Sequence, residues 1–105
     1  SLRHGAAEAL EAVARGDRKS SKVVGRRLEE LSLPKGAQIG AIVRGLPEDD
    51  APEAERLARI QSAQVIIAHH DVAIEANDHA IVFLPRKRMV KEIEKLFQVD
   101  ATFLF

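Results

Sequence analysis

The chain has 105 residues, carries sixteen Lys and Arg against sixteen Asp and Glu, and is 46% hydrophobic. Its charge balance argues against a general nucleic-acid binder, which shows a basic excess, and the absence of Cys removes disulfides, thiolate catalysis and Cys-ligated zinc while suiting a reducing cytoplasm. The longest apolar runs are four to five residues, far short of the ~20 needed to span a bilayer.

The length is that of one domain, 1–105, with a core over about 6–98. The first residue is Ser rather than Met, which leads us to expect a piece of a longer protein, and no signal peptide is evident. The stretch Gly5 to Arg15 is rich in Ala and Glu, so local propensity favours a helix, although the same residues also read as a short alternating strand. Gly16-Asp17 marks a turn, Ser20 or Ser21 suits an N-cap, and Val24, Leu28 and Leu31 share a helical face over Lys22–Leu31. Pro34-Lys35-Gly36 ends that helix.

Ala37–Gly45 reads as a strand with Ile39, Ala41 and Val43 on one face and Gly40, Ile42 and Arg44 on the other. The segment 46–63 opens as an acidic loop and continues as a polar helix over Ala54–Ser62 with Asp50 as N-cap, an insertion between paired strands. Its expected role is a contact surface particular to one branch of relatives. Gln64–Ala68 and His79–Leu84 are further β-branched strands. Pro85 closes the last of them, and Lys87–Phe97 is an amphipathic helix with Met89, Val90, Ile93, Leu96 and Phe97 on one side. The tail ending Phe103-Leu104-Phe105 is expected to dock on this chain or on a second copy.

Strands that are apolar on both faces need cover on both sides. Helices supply one side; self-association is the simplest supply of the other. Ile39, Val43, Val65, Ile81 and Phe83 are the residues expected in the core and at subunit contacts.

Read together, Ser1 to Val13, Gly16-Asp17, Ser21 to Arg26, Leu33 to Gly36, Ile39 to Gly45, Ile74 to His79 and Glu94 to Gln98 resemble, in order and spacing, the C-terminal subdomain of the RCK (regulator of potassium conductance) family, the TrkA-C domain. The resemblance implies a small α+β domain, a mostly antiparallel sheet with flanking helices, that dimerises. It also implies a strand, not a helix, over Glu8–Ala14, since tertiary pairing overrides local propensity. Asn77-Asp78 stands where the family usually has Gly-Asp, and Asn tolerates the same left-handed turn. The insertion at 46–63 is the second departure.

By the same resemblance, this would be a regulatory domain of a cytoplasmic regulator. It would form a homodimer or higher oligomer at the inner face of the membrane and gate a potassium channel or transporter subunit that is its partner. An NAD or ATP site would lie in an upstream Rossmann half, with no cofactor in this stretch, which lacks Gly-x-Gly-x-x-Gly. A cleft between two subdomains would take a regulatory ligand, a nucleotide effector among the candidates, with Ile42, Arg44, Ile66 and Ile67 as the candidate ligand-binding residues. An Arg facing water at a strand end is the plainer reading of Arg44. The alternatives are a pure assembly module without a small-molecule ligand, or the equivalent domain of an anion transporter or antiporter.

No nucleophile constellation or Gly-x-Ser-x-Gly elbow points to an enzyme. His69, His70 and Asp71, with His79 further on, have the chemistry to ligate a metal. Adjacent residues on an extended chain point to opposite faces, so turn and surface histidines are the preferred reading. The basic run Arg86-Lys87-Arg88 with Lys91 reads as a solvated face, an anion or partner contact being the alternative.

Overall fold

A computed structural model describes residues 7–104. The resemblance at Ser1 to Ala6, and the terminal Phe105, fall outside the described residues. The elements in order are β1 (Glu8–Val13), β2 (Gln38–Arg44), α1 (Glu53–Ser62), β3 (Gln64–Ile67), β4 (His79–Leu84), α2 (Val90–Phe97) and β5 (Thr102–Phe103). All strands join one antiparallel sheet in the order β3-β2-β4-β1-β5. The fold is therefore α+β, as expected, and β1 is the strand that the family resemblance required over the helix that composition favoured.

One face of the sheet holds the core. Leu10, Ala12, Ile39, Ile42, Ala80, Val82 and Leu84 project there and are covered by Val90, Ile93 and Phe97 of α2, with Val23, Val24 and Ile74 completing the cluster. A single turn of 3₁₀ helix, Lys87–Met89, leads into α2. Gln98 ends it in the left-handed conformation at φ 61°, donating its N–H to Glu94 O at 2.7 Å. The tail docks on this chain: β5 pairs with Leu10 and Glu11 of β1, and the Glu94 carboxylate accepts the Ala101 N–H at 2.8 Å.

Three expectations are corrected. Lys22–Leu31 is not a helix; only Leu28–Glu30 makes a 3₁₀ turn. Gly25 sits at φ +82°, where a helix cannot pass, and the backbone instead bonds across to the 70–74 segment. Gly25 N–H reaches Ile74 O at 2.7 Å, and Leu28 N–H reaches Val72 O at 2.9 Å. Ser21 does behave as a cap, its hydroxyl accepting the N–H groups of Val23 and Val24, but it caps a turn. The second correction concerns β2, whose alternation breaks at a bulge between Ile39 and Ala41. Ile39 and Ile42 thus both enter the core, while Ala41 and Val43 face the other side. Third, Pro52 rather than Asp50 occupies the N-cap position of α1, and its side chain makes no cap hydrogen bond.

The outer face of the sheet carries Val65 and Ile67 of β3, Ala41 and Val43 of β2, and Ile81 and Phe83 of β4. Val65 is 65% exposed, Ile67 63% and Phe83 45%. Cover of this face is incomplete: Ala41, Val43 and Ile81 are partly buried, while Val65, Ile67 and Phe83 stay open. α1 does not complete it, for none of its residues is buried and Leu57 and Ile60 are more than half exposed.

The turn after β1 has a pH signature. The Asp17 carboxylate accepts the N–H groups of Ser20 and Lys19, each at 2.9 Å, and the Ser20 hydroxyl at 3.1 Å; these bonds hold its pKa below the ordinary value of 3.8. Glu30 is held below 4.5, first by the Arg27 N–H at 2.8 Å and then by the Arg27 guanidinium. Carboxyls depressed in the folded state stabilise it above their unfolded pKa, and that contribution disappears as pH falls through the folded value. Thermal unfolding followed from pH 5 down to about 2 should show melting temperature falling across this range. Asp17→Asn should make the fall shallower; an identical acid limb in that variant would refute the assignment.

Candidate functional site

At the end of the sheet where β2 finishes and β4 starts, six segments meet around a pocket of about 250 Å3. β2 contributes Arg44, the following loop Leu46 and Glu48, α1 Arg59, the 75–78 turn Asn77, β4 His79, and the end of β1 Arg15. Three guanidiniums and an imidazole thus surround a space with one carboxylate, Glu48, on its wall.

The arginines are not equivalent. Arg44 is locked: Nε and Nη2 form a bidentate pair with the two Asp78 oxygens at 2.9 and 2.8 Å, Nη1 meets Glu75 Oε2 at 2.7 Å, and Nη2 also donates to Ala73 O at 3.1 Å. Asp78 is 1% exposed and accepts the Glu75 N–H at 2.8 Å as well. The hydrogen bonds to Asp78, with its negative charge and that of Glu75, raise the Arg44 pKa above its ordinary value despite partial burial. This guanidinium is cationic at every pH the protein meets. Asn77, at φ 69°, makes the tight turn that brings Asp78 inward, and its Oδ1 accepts Arg15 Nη1 at 3.1 Å.

Arg15 and Arg59 are looser. Arg15 is half exposed and 3.9 Å from Glu48; Arg59 pairs at 3.4 Å with Glu55 one turn back on α1. Surface pairs of this kind are worth little and are readily exchanged. An anion entering the pocket would find Arg44 as a fixed positive wall and Arg15 and Arg59 as movable donors.

The candidate ligand residues do not share one surface. Arg44 lines the pocket, but Ile42 is fully buried in the core, Ile66 pairs with it on the core side, and Ile67 is on the outer face. Arg15 and Arg59 carried no signal in the sequence; the insertion helix brings Arg59 in, and the path of β1 brings Arg15. Among the expected core and contact residues, Ile39 is in the core, while Val43, Val65, Ile81 and Phe83 lie on the outer face. The histidines are dispersed: His70 Nδ1 is 3.1 Å from Glu29, and His79 Nδ1, near the pocket, is 3.2 Å from Glu11. His69 and Asp71 are exposed, and no group of three or more metal-ligating side chains forms among the described residues. No helix among the described residues is long and apolar enough to cross a membrane.

An antiparallel sheet backed by one helix, with an exposed apolar patch on its outer face and an arginine-lined pocket at one end, defines a small α+β domain. No protein-family model matches the chain. Curated relatives do: it is 48% identical over 103 residues to the Trk system potassium uptake protein TrkA of Halomonas elongata, covering 98% of this chain and 19% of that protein. It is 46% identical to the TrkA of Vibrio alginolyticus and 45% to that of Haemophilus influenzae, covering 99% and 98% of this chain and again 19% of each relative. The chain is thus homologous over nearly its whole length to a segment of TrkA, consistent with a TrkA C-terminal domain, and spans about a fifth of the relatives it matches.

Proposed function

We propose that the chain is a non-catalytic regulatory domain of a potassium-uptake regulator, which pairs with a second copy and senses a small anionic ligand. The observation that carries the ligand half is the pocket at the end of β2, where Arg44 is fixed and Arg15 and Arg59 are held only by exposed, exchangeable contacts. Its volume, about 250 Å3, is below the usual range for a drug-sized ligand, so it suits the phosphate part of a nucleotide rather than the whole. A wall from a second copy would complete it, and the incompletely covered outer face offers a surface for pairing. Such a domain gates a membrane potassium channel or transporter subunit from the cytoplasmic side only if ligand prefers one arrangement of the paired copies. An NAD or ATP site would belong to an upstream Rossmann half. The names of the relatives support a potassium partner over an anion transporter or antiporter.

The test is a thermal-shift and calorimetric screen with ATP, ADP, NAD, NADH and cyclic dinucleotides. Ligand at 100-fold above its Kd adds about 2.7 kcal/mol, which is many degrees for a domain of this size. Arg15→Gln with Arg59→Gln should abolish the shift and leave the unliganded melting temperature in place. Sedimentation measures the pairing half: Ile67→Asp should move the equilibrium toward monomer. A flat screen with pairing intact would favour the second reading, an assembly module without ligand, to which the exposed Val65, Ile67 and Phe83 also point.

A further inference from the structure

At the opposite end of β4 from the Arg44 pocket, Lys35, Arg86 and Arg88 converge on a second hollow of about 380 Å3, also lined by Pro85, Met89 and Glu92. Two separate segments build it. The turn Pro34–Gly36 is closed by the Ala37 N–H on Pro34 O at 2.9 Å. It lies so close to the end of β4 that a Cβ on Gly36 would stand 3.0 Å from Pro85. Arg86 and Arg88 come from the connection into α2.

These three cations have no carboxylate partner among the described residues. Their basic neighbours are otherwise engaged: Lys91 reaches Glu94 at 3.7 Å, and Lys87 lies 5.6 Å over the Phe103 ring. Three like charges around one concavity repel each other, and the chain as a whole has an equal number of acids available to neutralise them. Only Glu92 is placed on this wall. The wall therefore carries three cations against one carboxylate, a local positive excess in a space large enough for a small oxyanion.

We propose that this hollow binds a phosphate group, with the Arg86 and Arg88 forks and the Lys35 ammonium as its donors. Guanidinium matches the geometry of phosphate oxygens, and ammonium adds a compact charge. The group could be carried by a soluble phosphate ester or by an anionic lipid headgroup. The site is independent of the Arg44 pocket.

The experiment titrates the isotope-labelled chain with inorganic pyrophosphate at constant ionic strength, following backbone amide shifts, beside co-flotation with phosphatidylglycerol vesicles against phosphatidylcholine ones. Saturable shifts centred on 35–37 and 85–92 are expected. The double change Arg86→Gln and Arg88→Gln should weaken binding at least about tenfold, as loss of charged hydrogen bonds does, with the melting temperature retained; Lys35→Gln, in the other segment, should weaken it too. The charge-matched pair Lys19→Gln and Lys22→Gln should leave binding unchanged. Binding of pyrophosphate assigns a soluble phosphate; binding of anionic vesicles alone, lost in the same variants, assigns a headgroup. No saturable response in either arm, shifts centred elsewhere, or equal loss in the control pair overturns the proposal.

Discussion

Arg44→Ala should destabilise the fold by about 3 kcal/mol, the lower end of what breaking one side of a buried ion pair costs. The reason is the charge left behind. Asp78 is 1% exposed, and Arg44 supplies both of its side-chain partners' N–H groups at 2.8 and 2.9 Å. Without the guanidinium, a carboxylate would remain in a largely buried site with only the Glu75 N–H as protein donor. The low end is chosen because Arg44 itself is 26% exposed, so some water can enter. Denaturant unfolding of Arg44→Ala, Asp78→Ala and the double variant measures this directly. A coupling energy above about 1 kcal/mol is expected, and a single-variant loss below that figure would show that water replaces the pair. It follows that Arg44 variants are poor probes of ligand binding, because they report folding first.

Phe97→Ala is the second large effect, with an expected loss of about 4 kcal/mol. Phe97 is the largest of the fully buried side chains and, with Val90 and Ile93, seats α2 on the sheet. Its removal leaves a cavity between a short helix and strands that cannot easily collapse, since β1 and β4 are fixed by six consecutive register pairs. Against a total of roughly 5–15 kcal/mol for an ordinary domain, this brings the chain close to unfolding at moderate temperature. The denaturation midpoint should drop with little change in slope, and Phe97→Leu should recover most of it. A Phe97→Ala protein within about 1 kcal/mol of the parent would mean that α2 is not what closes the core.

Three of the strands are readable because β-branched residues cluster in β2, β3 and β4 and turn residues separate them, whereas β1 needed the family resemblance and β5 gave no strand signal. The faces of β2 were not readable, because a bulge is a property of a pair: only alignment against β4 shows that Ile39 and Ile42 both oppose core residues. At Lys22–Leu31 the periodicity of Val24, Leu28 and Leu31 was real, since all three pack on the core. The period was satisfied by an irregular ribbon, and Gly25 in its middle was the available warning. Arg44 was noticeable as a charge ending an apolar strand, but its partner Asp78 is 34 positions away. Nothing local announced that a turn residue would be the buried end of an ion pair. The convergence of Lys35 with Arg86 and Arg88 is likewise invisible until the Gly36 turn is seen against Pro85.

The two borders of the sheet differ, and that asymmetry limits what the molecule can build. On one border the two residues of β5 lie along β1, and a strand that short is a poor template for a newcomer. On the other, β3 offers four residues, Gln-Val-Ile-Ile, with neither charge nor proline to repel addition. Among the described residues, this is the border better suited to a strand added from another copy. If a strand were added there antiparallel, the operation would be its own inverse, each copy using its β3 border on the other. Growth of that kind stops at two and leaves no end from which a fibre could continue.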